Sequence, residues 1–323
     1  MNVIEVNSLN KQFKSKIKEE GFKGSMKAMF KPEYRIKDAV SNLGFSVEKG
    51  EMLAFIGPNG AGKSTTIKML TGILFPTSGD ISVLGFNPQK DRKKLAYRIG
   101  MVNGQKSQLW MHLPAIDSYK LFASIYDIGD KEADKRIAEL SEVLNLGDII
   151  TQPVRTLSLG QRMRCEIAAS LIHKPEIIFF DEPTIGLDPV VKQEIRKFIK
   201  DLNKKFNTTV FFTSHDVGDI EKLCKRVIIV NNGQIVLDDS LKNLKYNYLN
   251  KKLIDVKFNE EVYLDDVCGM EIVKQKGCDI KIEVNTKEQS IKNVIDCLPT
   301  EKIVDINISD IPLEEIIAEI YGK

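Results

Sequence analysis

Short apolar runs alternate along this 323-residue chain with segments of helical period, the pattern of an α/β fold. Three stretches carry it. Met52-Leu53-Ala54-Phe55-Ile56 reads as a buried strand and runs into the glycine-rich Gly57-Pro58-Asn59-Gly60-Ala61-Gly62-Lys63-Ser64-Thr65. Beyond it, Ile67, Met69 and Leu70 continue at helical spacing. Ile177-Ile178-Phe179-Phe180 is a second buried strand and ends in Asp181-Glu182. Thr208-Thr209-Val210-Phe211-Phe212-Thr213-Ser214 is a third and ends at His215. Strands that deliver polar residues at their carboxyl ends place them where α/β sheets bind ligands.

The other elements fall around these. Ile4-Glu5-Val6 alternates like a strand, and Phe13 follows it. Residues from about 14 to 37 read as a lysine-rich insertion. In it Phe22, Met26, Met29 and Phe30 recur at helical spacing, giving an amphipathic helix with one basic face. Such a helix suits an anionic membrane surface or a membrane partner, and equally a solvated face packed on its own domain. Leu43-Gly44-Phe45-Ser46-Val47 and Ile81-Ser82-Val83 are strands of an accompanying antiparallel layer. Ile99-Gly100-Met101-Val102 leads to Gln105. Residues from about 114 to 173 are mainly helical. Asn231-Asn232-Gly233 is a hairpin turn between two strands.

From about residue 245 the composition changes. Alternating Ile254/Val256/Phe258, Ile280/Ile282/Val284 and Val304/Ile306/Ile308 read as strands. Thr286-Lys287-Glu288-Gln289 has capping-box spacing ahead of a helix with Ile291, Val294 and Leu298, and Pro312 starts a final helix. Domain boundaries of 1–244 and 245–323 are expected, the second a small α+β module without a cluster of titratable residues.

Composition limits the function classes. A net charge of +2 makes no field for nucleic acid. Cys165, Cys224, Cys268, Cys278 and Cys297 are scattered without a C-x-x-C pair, which suits reduced thiols and neither a disulfide frame nor a metal site. No apolar run approaches the roughly 18 residues of a membrane span. The start, Met1-Asn2-Val3-Ile4-Glu5, has no secretory apolar region.

The loop from Gly57 to Ser64 fits the phosphate cradle G-x-x-x-x-G-K-[ST]. Glycines let backbone N–H groups approach phosphate oxygens with no Cβ in the way. The following helix N-terminus adds donors and a favourable dipole. Lys63 reaches the β- and γ-phosphates and Ser64 ligates Mg²⁺. Alone, this is compatible with kinases, GTPases, helicases and transport ATPases.

The order of later elements narrows the choice. Gln105, then Leu157-Ser158-Leu159-Gly160-Gln161, then Asp181-Glu182, Leu187-Asp188 and His215 resembles the ATP-binding subunit of an ABC transporter, over roughly residues 1 to 240. The resemblance implies a P-loop core with an antiparallel β subdomain and a helical subdomain. It implies that Ser64 and Asp181 hold Mg²⁺ and that Glu182 is the general base. His215 would contact the γ-phosphate, and Gln105 would sense Mg²⁺ and the attacking water. Phe13 would stack on adenine, with Tyr34 as the alternative ring. Ser158, Gly160 and Gln161 would bind the γ-phosphate of ATP held by a second subunit, and Asp188 would organise that contact. Leu159 stands where the family most often has Gly.

ATP and Mg²⁺ are the implied cofactors. A second ATP-binding subunit, identical or not, and an integral membrane permease are the implied partners, with no nucleic acid. The chain would sit peripherally on the cytoplasmic face of the cell membrane and drive export. The rival reading is a soluble ABC ATPase acting on ribosome or DNA. One phosphate loop, one signature and no sustained heptads speak against it.

Overall fold

The computed structural model describes residues 1–16, 34–104, 106–214, 216–248, 251–264 and 271–322. Contacts divide the chain into two units, Met1–Asp238 and Asp239–Lys323.

The first unit opens with two long strands, β1 (Asn2–Lys16) and β2 (Tyr34–Glu48), followed by β3 (Met52–Ile56) and helix α1 (Lys63–Leu70). Strand β4 (Ser78–Val83), helix α2 (Arg92–Ala96) and strand β5 (Ile99–Asn103) come next. A helical block holds α3 (Ala115–Ile125), α4 (Asp130–Val143) and α5 (Leu159–Leu171). Then follow β6 (Ile177–Asp181), α6 (Pro189–Phe206), β7 (Thr209–Thr213), α7 (Val217–Leu223), β8 (Arg226–Asn231) and β9 (Gln234–Ser240).

The main sheet has the order β5-β6-β7-β3-β8-β9. The first five of these strands are paired in parallel. Each residue of β6 and β7 is buried, as a sheet covered on both faces requires, which is why these strands read as unbroken apolar runs. Phe55, Phe179 and Phe211 stack side by side on one face, with ring centroids 5.2 and 5.6 Å apart. Phe45 of β2 reaches Phe55 at 5.6 Å, so the three-stranded antiparallel sheet β2-β1-β4 closes over that face. Asn232 and Gly233, both at positive φ, make the tight turn into β9.

The two ends of the expected insertion are described. Phe13 pairs with Lys37, Lys14 with Ile36 and Lys16 with Tyr34, so residues 14–16 and 34–37 are strand, not helix. Backbone pairing in an exposed two-stranded extension needs no buried stripe, and the lysines there stay in water. Residues 17–33, which carry the predicted amphipathic helix, lie outside the described residues.

The second unit holds α8 (Leu241–Tyr248), β10 (Lys251–Phe258), β11 (Glu271–Lys276), β12 (Asp279–Asn285), α9 (Ile291–Asp296), β13 (Ile303–Asp310) and α10 (Leu313–Gly322). Its antiparallel sheet has the order β11-β12-β10-β13, with Ile254, Val256, Ile282 and Val284 packed beside Val294 of α9 and Leu298 just after it. Ser290, not Thr286, caps α9. Its hydroxyl accepts from the Asn293 N–H at 3.2 Å, while Asn285 holds the preceding turn by accepting from Lys287 N–H at 3.1 Å. Among the described residues Cys165, Cys224 and Cys278 carry free thiols and Cys297 is disulfide-bonded, which corrects the expectation of reduced thiols throughout.

Candidate functional site

Three neighbouring parallel strands, β6, β7 and β3, end at the same edge of the sheet, and the candidate site is built on those ends. From β3 the chain enters the glycine-rich loop. A Cβ on Gly57 would lie 2.2 Å from the Val230 carbonyl oxygen, so no side chain fits there. Gly62 precedes α1 at φ +101, a conformation that L residues rarely adopt, and a Cβ there would lie 2.5 Å from Ala39 O. These two positions let the loop fold tightly enough to aim its N–H groups inward.

Lys63 is the first residue of α1 and is buried. Its ammonium donates to Gly57 O at 2.7 Å and Pro58 O at 3.2 Å. The cation thus lies along the loop itself, tethered by carbonyls at its start. Burial lowers its pKa, and the Glu182 and Asp181 carboxylates work against that shift. A phosphate group would supply the negative charge this buried ammonium lacks at close range.

Next on α1, Ser64 Oγ donates to Asp181 Oδ1 at 3.3 Å across the sheet edge. Thr213, at the end of β7, donates to the same oxygen at 2.8 Å. Asp181 is therefore held by two hydroxyls, with a serine oxygen beside its carboxylate. Among the described residues no group of three or more His, Cys, Asp or Glu side chains gathers to hold a metal. A hydroxyl and one carboxylate suit Mg²⁺, which keeps waters and takes its remaining ligands from phosphates. The donor set fits the ion only together with a polyphosphate.

Glu182 follows with φ +54, in the left-handed region that a residue with a long side chain seldom occupies. Its N–H lies 3.1 Å from both Thr213 O and Thr213 Oγ1. On its other side a Cβ on Gly104 would meet Glu182 O at 2.0 Å, so the strand leading from β5 also presses on this turn.

The cleft bounded by these groups has a volume of about 630 Å³. Asn59 to Thr65 line its floor, and Phe13 lies at its rim beside Lys37 of β2. Phe13 is 42% exposed, with the Lys11 ammonium 5.2 Å from its ring centre. Tyr34 does not line the cleft. It pairs with Lys16, three residues farther along β1 and so roughly 10 Å from Phe13.

The signature residues do not line this cleft either. Ser158 is exposed and caps α5 in a reciprocal capping box. Its hydroxyl accepts from Gln161 N–H at 3.2 Å, and its own N–H donates to Gln161 Oε1 at 2.9 Å. Gly160 is buried against Val191. Asp188 caps α6, its Oδ1 accepting from Val190 and Val191 N–H, each at 3.0 Å. The first turns of α5 and α6 are thus packed together, with Ser158 left facing outward.

Gln105 and His215 lie outside the described residues. Next to Gln105, Ser107 and Gln108 are both bound to buried Glu166 of α5, the latter with its N–H 3.2 Å from Glu166 Oε2. His173 is structural: its ring stacks on Tyr126 at 3.9 Å and its Nε2 lies 2.8 Å from Ile99 O. Thr213, Lys37 and Glu166 were not anticipated. Thr213 stands at a strand end beside Ser214 and His215, a signal of the kind that marked Asp181; Lys37 and Glu166 have none.

Comparison with known proteins follows the same lines. The family profile described as "ABC transporter" matches residues 40–185. The chain is 38% identical over 206 residues to the linearmycin resistance ATP-binding protein LnrL of Bacillus subtilis, covering 64% of this chain and 66% of that one. It is 34% identical to the ABC transporter ATP-binding protein NatA of B. subtilis, covering 67% of this chain and 87% of that one. It is 37% identical to the bacitracin transport ATP-binding protein BcrA of Bacillus licheniformis, at 69% and 72% coverage. Among solved structures, the dimeric post-hydrolysis ATP-binding cassette MJ0796 bound to ADP and Pi superposes with a TM-score of 0.62 at 25% identity, over 74% of this chain and 98% of that one. For cbiO1 from Clostridium perfringens, part of the transporter complex cbiONQ, the TM-score is 0.62 at 26% identity, over 75% and 90%.

Proposed function

The chain belongs to the ABC transporter family, and from that premise we propose that it binds and hydrolyses ATP as one half of a dimer and powers export through a separate membrane permease. The observation that carries this reading is the separation of two half-sites. The cradle, Lys63, Ser64, Asp181 and Glu182 converge on one cleft, while Ser158 faces outward on the N-terminus of α5. A helix N-terminus with an exposed hydroxyl suits a phosphate held by another chain. Ile185 and Val190, 42% and 68% exposed beside Asp188, give that second chain an apolar footing.

Each residue then has a task. The glycine loop and Lys63 hold the phosphates. Ser64 and Asp181 hold Mg²⁺, which supplies charge neutralisation on the phosphates when bound. Glu182 takes a proton from the attacking water. Phe13 stacks on the base, Asp188 organises the contact between subunits, and the roles of Gln105 and His215 rest on the sequence resemblance. Binding closes the dimer and hydrolysis removes the group that bridges it, so chemistry is converted into domain movement.

The named relatives include a resistance protein and an antibiotic transport protein, which supports export. No helix among the described residues is long and apolar enough to cross a membrane. In this reading the permease is a separate chain, and this one docks on its cytoplasmic side. Trp110 and Leu113, 49% and 41% exposed and next to His112, offer an apolar contact for it. Through Glu166 that contact is tied to the signature helix.

Affinity purification of the full chain from solubilised membranes should bring down a multi-span protein in constant ratio. Recovery with ribosomes or DNA instead would establish the rival reading. The base-stacking role has its own test. Phe13→Ala should weaken adenine nucleotide binding about tenfold, since a stacked base contributes about 1–3 kcal/mol. Tyr34→Ala should leave it unchanged, and fluorescent-nucleotide titration would reveal the reverse.

A further inference from the structure

We propose that Asp219, a fully buried carboxylate on α7, is a positioning residue for hydrolysis that holds Glu182 in its left-handed conformation. The inference rests on Glu182 being the base and names a residue that touches neither nucleotide nor water.

Asp219 is 0% exposed. One of its oxygens pairs with the Arg196 guanidinium of α6. The other accepts two hydroxyls, from Thr184, in a short hydrogen bond, and from Ser214 at 3.0 Å. Its N–H donates to Asp216 Oδ1 at 3.2 Å, and Arg196 and Lys192 both pair with Asp216. Four segments meet on this one side chain: the turn after Glu182, the end of β7, α6 and α7. Thr184 and Ser214 are themselves 2% and 3% exposed.

A buried carboxylate is costly unless it is paired and hydrogen-bonded, and this one is satisfied on both oxygens. Packing alone does not require it, because β6 and β7 are already joined by their ladder. The need lies in Glu182. A non-glycine residue at φ +54 persists only where its surroundings over-determine it. Its N–H is fixed by Thr213. Two residues on, Thr184 is fixed by Asp219, which also grips Ser214 directly after Thr213. The turn is therefore pinned at both ends to one strand end, and Asp219 is the second pin. Releasing it lets residues 182–185 relax towards ordinary backbone angles and moves the Glu182 carboxylate away from the water it must deprotonate. Because Ile185, Leu187 and Asp188 continue the same loop, the pin also fixes the segment that meets the second chain.

Thr184→Val keeps the shape and the Arg196–Asp219 pair but removes one hydroxyl. It should lower kcat for ATP about tenfold, as small misplacements of a catalytic group do, with KM unchanged and the thermal midpoint preserved. Thr184→Ser should restore kcat. Ser214→Ala, which also removes the acceptor of the Asp216 N–H, should act in the same direction, and the double variant should be no slower than the slower single, because both hydroxyls act through one carboxylate. Parental kcat in both single variants, or a raised KM with kcat unchanged, would overturn the proposal. Glu182→Gln is measured alongside. If it is inactive while Thr184→Val is parental, Asp219 has lost its role and the base has not. If it turns over normally, the base assignment itself has failed.

Discussion

Glu182→Gln should lower ATP turnover by about 10²–10⁴-fold, the range over which a positioned general base contributes, while ATP binding survives. Glutamine has the size and shape of glutamate, and backbone contacts contribute to holding position 182, among them its N–H bonds to Thr213 and the close approach of Gly104 to its carbonyl. The turn should therefore be retained. What is lost is a proton acceptor. The cradle, Lys63, Ser64 and Asp181 remain, so nucleotide still enters, and a dimer closed on ATP should accumulate because hydrolysis no longer opens it. Phosphate release and size-exclusion chromatography with ATP·Mg²⁺ read the two effects separately. Turnover at the parental rate would remove Glu182 from the chemistry.

The same variant has a smaller electrostatic consequence. Glu182 is one of two carboxylates that oppose the desolvation of Lys63. Lys63 must be protonated to hold phosphate, and its pKa is already lowered, so affinity falls as pH rises through that pKa. Removing the Glu182 charge moves this loss to lower pH.

Much of the site was legible in the sequence because its parts are local. A tight turn that tolerates no Cβ must be written in glycine, as at Gly57 and Gly62, and a strand buried on both faces must be written in apolar residues up to Asp181. The order of those parts also distinguished this family from others with the same cradle. Elements that depend on distant partners were not legible. The outer ends of β1 and β2 are exposed on both faces, so Lys14, Lys16 and Ile36 show no alternation. They fell within the lysine-rich stretch read as an insertion, but the backbone pairs them as strand. Thr286 has capping-box spacing, but the hydrogen bond that Ser290 accepts from the Asn293 N–H places the cap four residues later. Asp219 lies in an ordinary helical run, and its partners come from positions 184, 196 and 214. A buried polar cluster of that kind appears only when the segments are brought together.

Gly160→Ala should be the most damaging single-methyl change in the signature. The Cβ it adds would sit 2.6 Å from Val191 Cγ1 and 3.0 Å from Cγ2, inside contact distance for any pair of carbon atoms. Val191 is β-branched, stiff at χ1, and in the first turn of α6, where Asp188 already receives its N–H. It cannot swing away cheaply, so the strain falls on the packing of α5 against α6. Overpacking of this kind costs about 1–3 kcal/mol, which as lost transition-state stabilisation is about five- to 150-fold in rate. The α5 N-terminus carries Ser158, so a displacement there misplaces the donor that the second chain's phosphate would meet. Hydrolysis and ATP-driven dimerisation should fall together, whereas ATP binding by the monomer, which uses only the cradle, should not change. The cause is testable by removing the other side of the clash. Val191→Ala alone should be mild, and Gly160→Ala with Val191→Ala should recover most of the activity. An inactive double variant would mean that Gly160 is required for the approach of a phosphate to its backbone, and not for the fit of one helix against another.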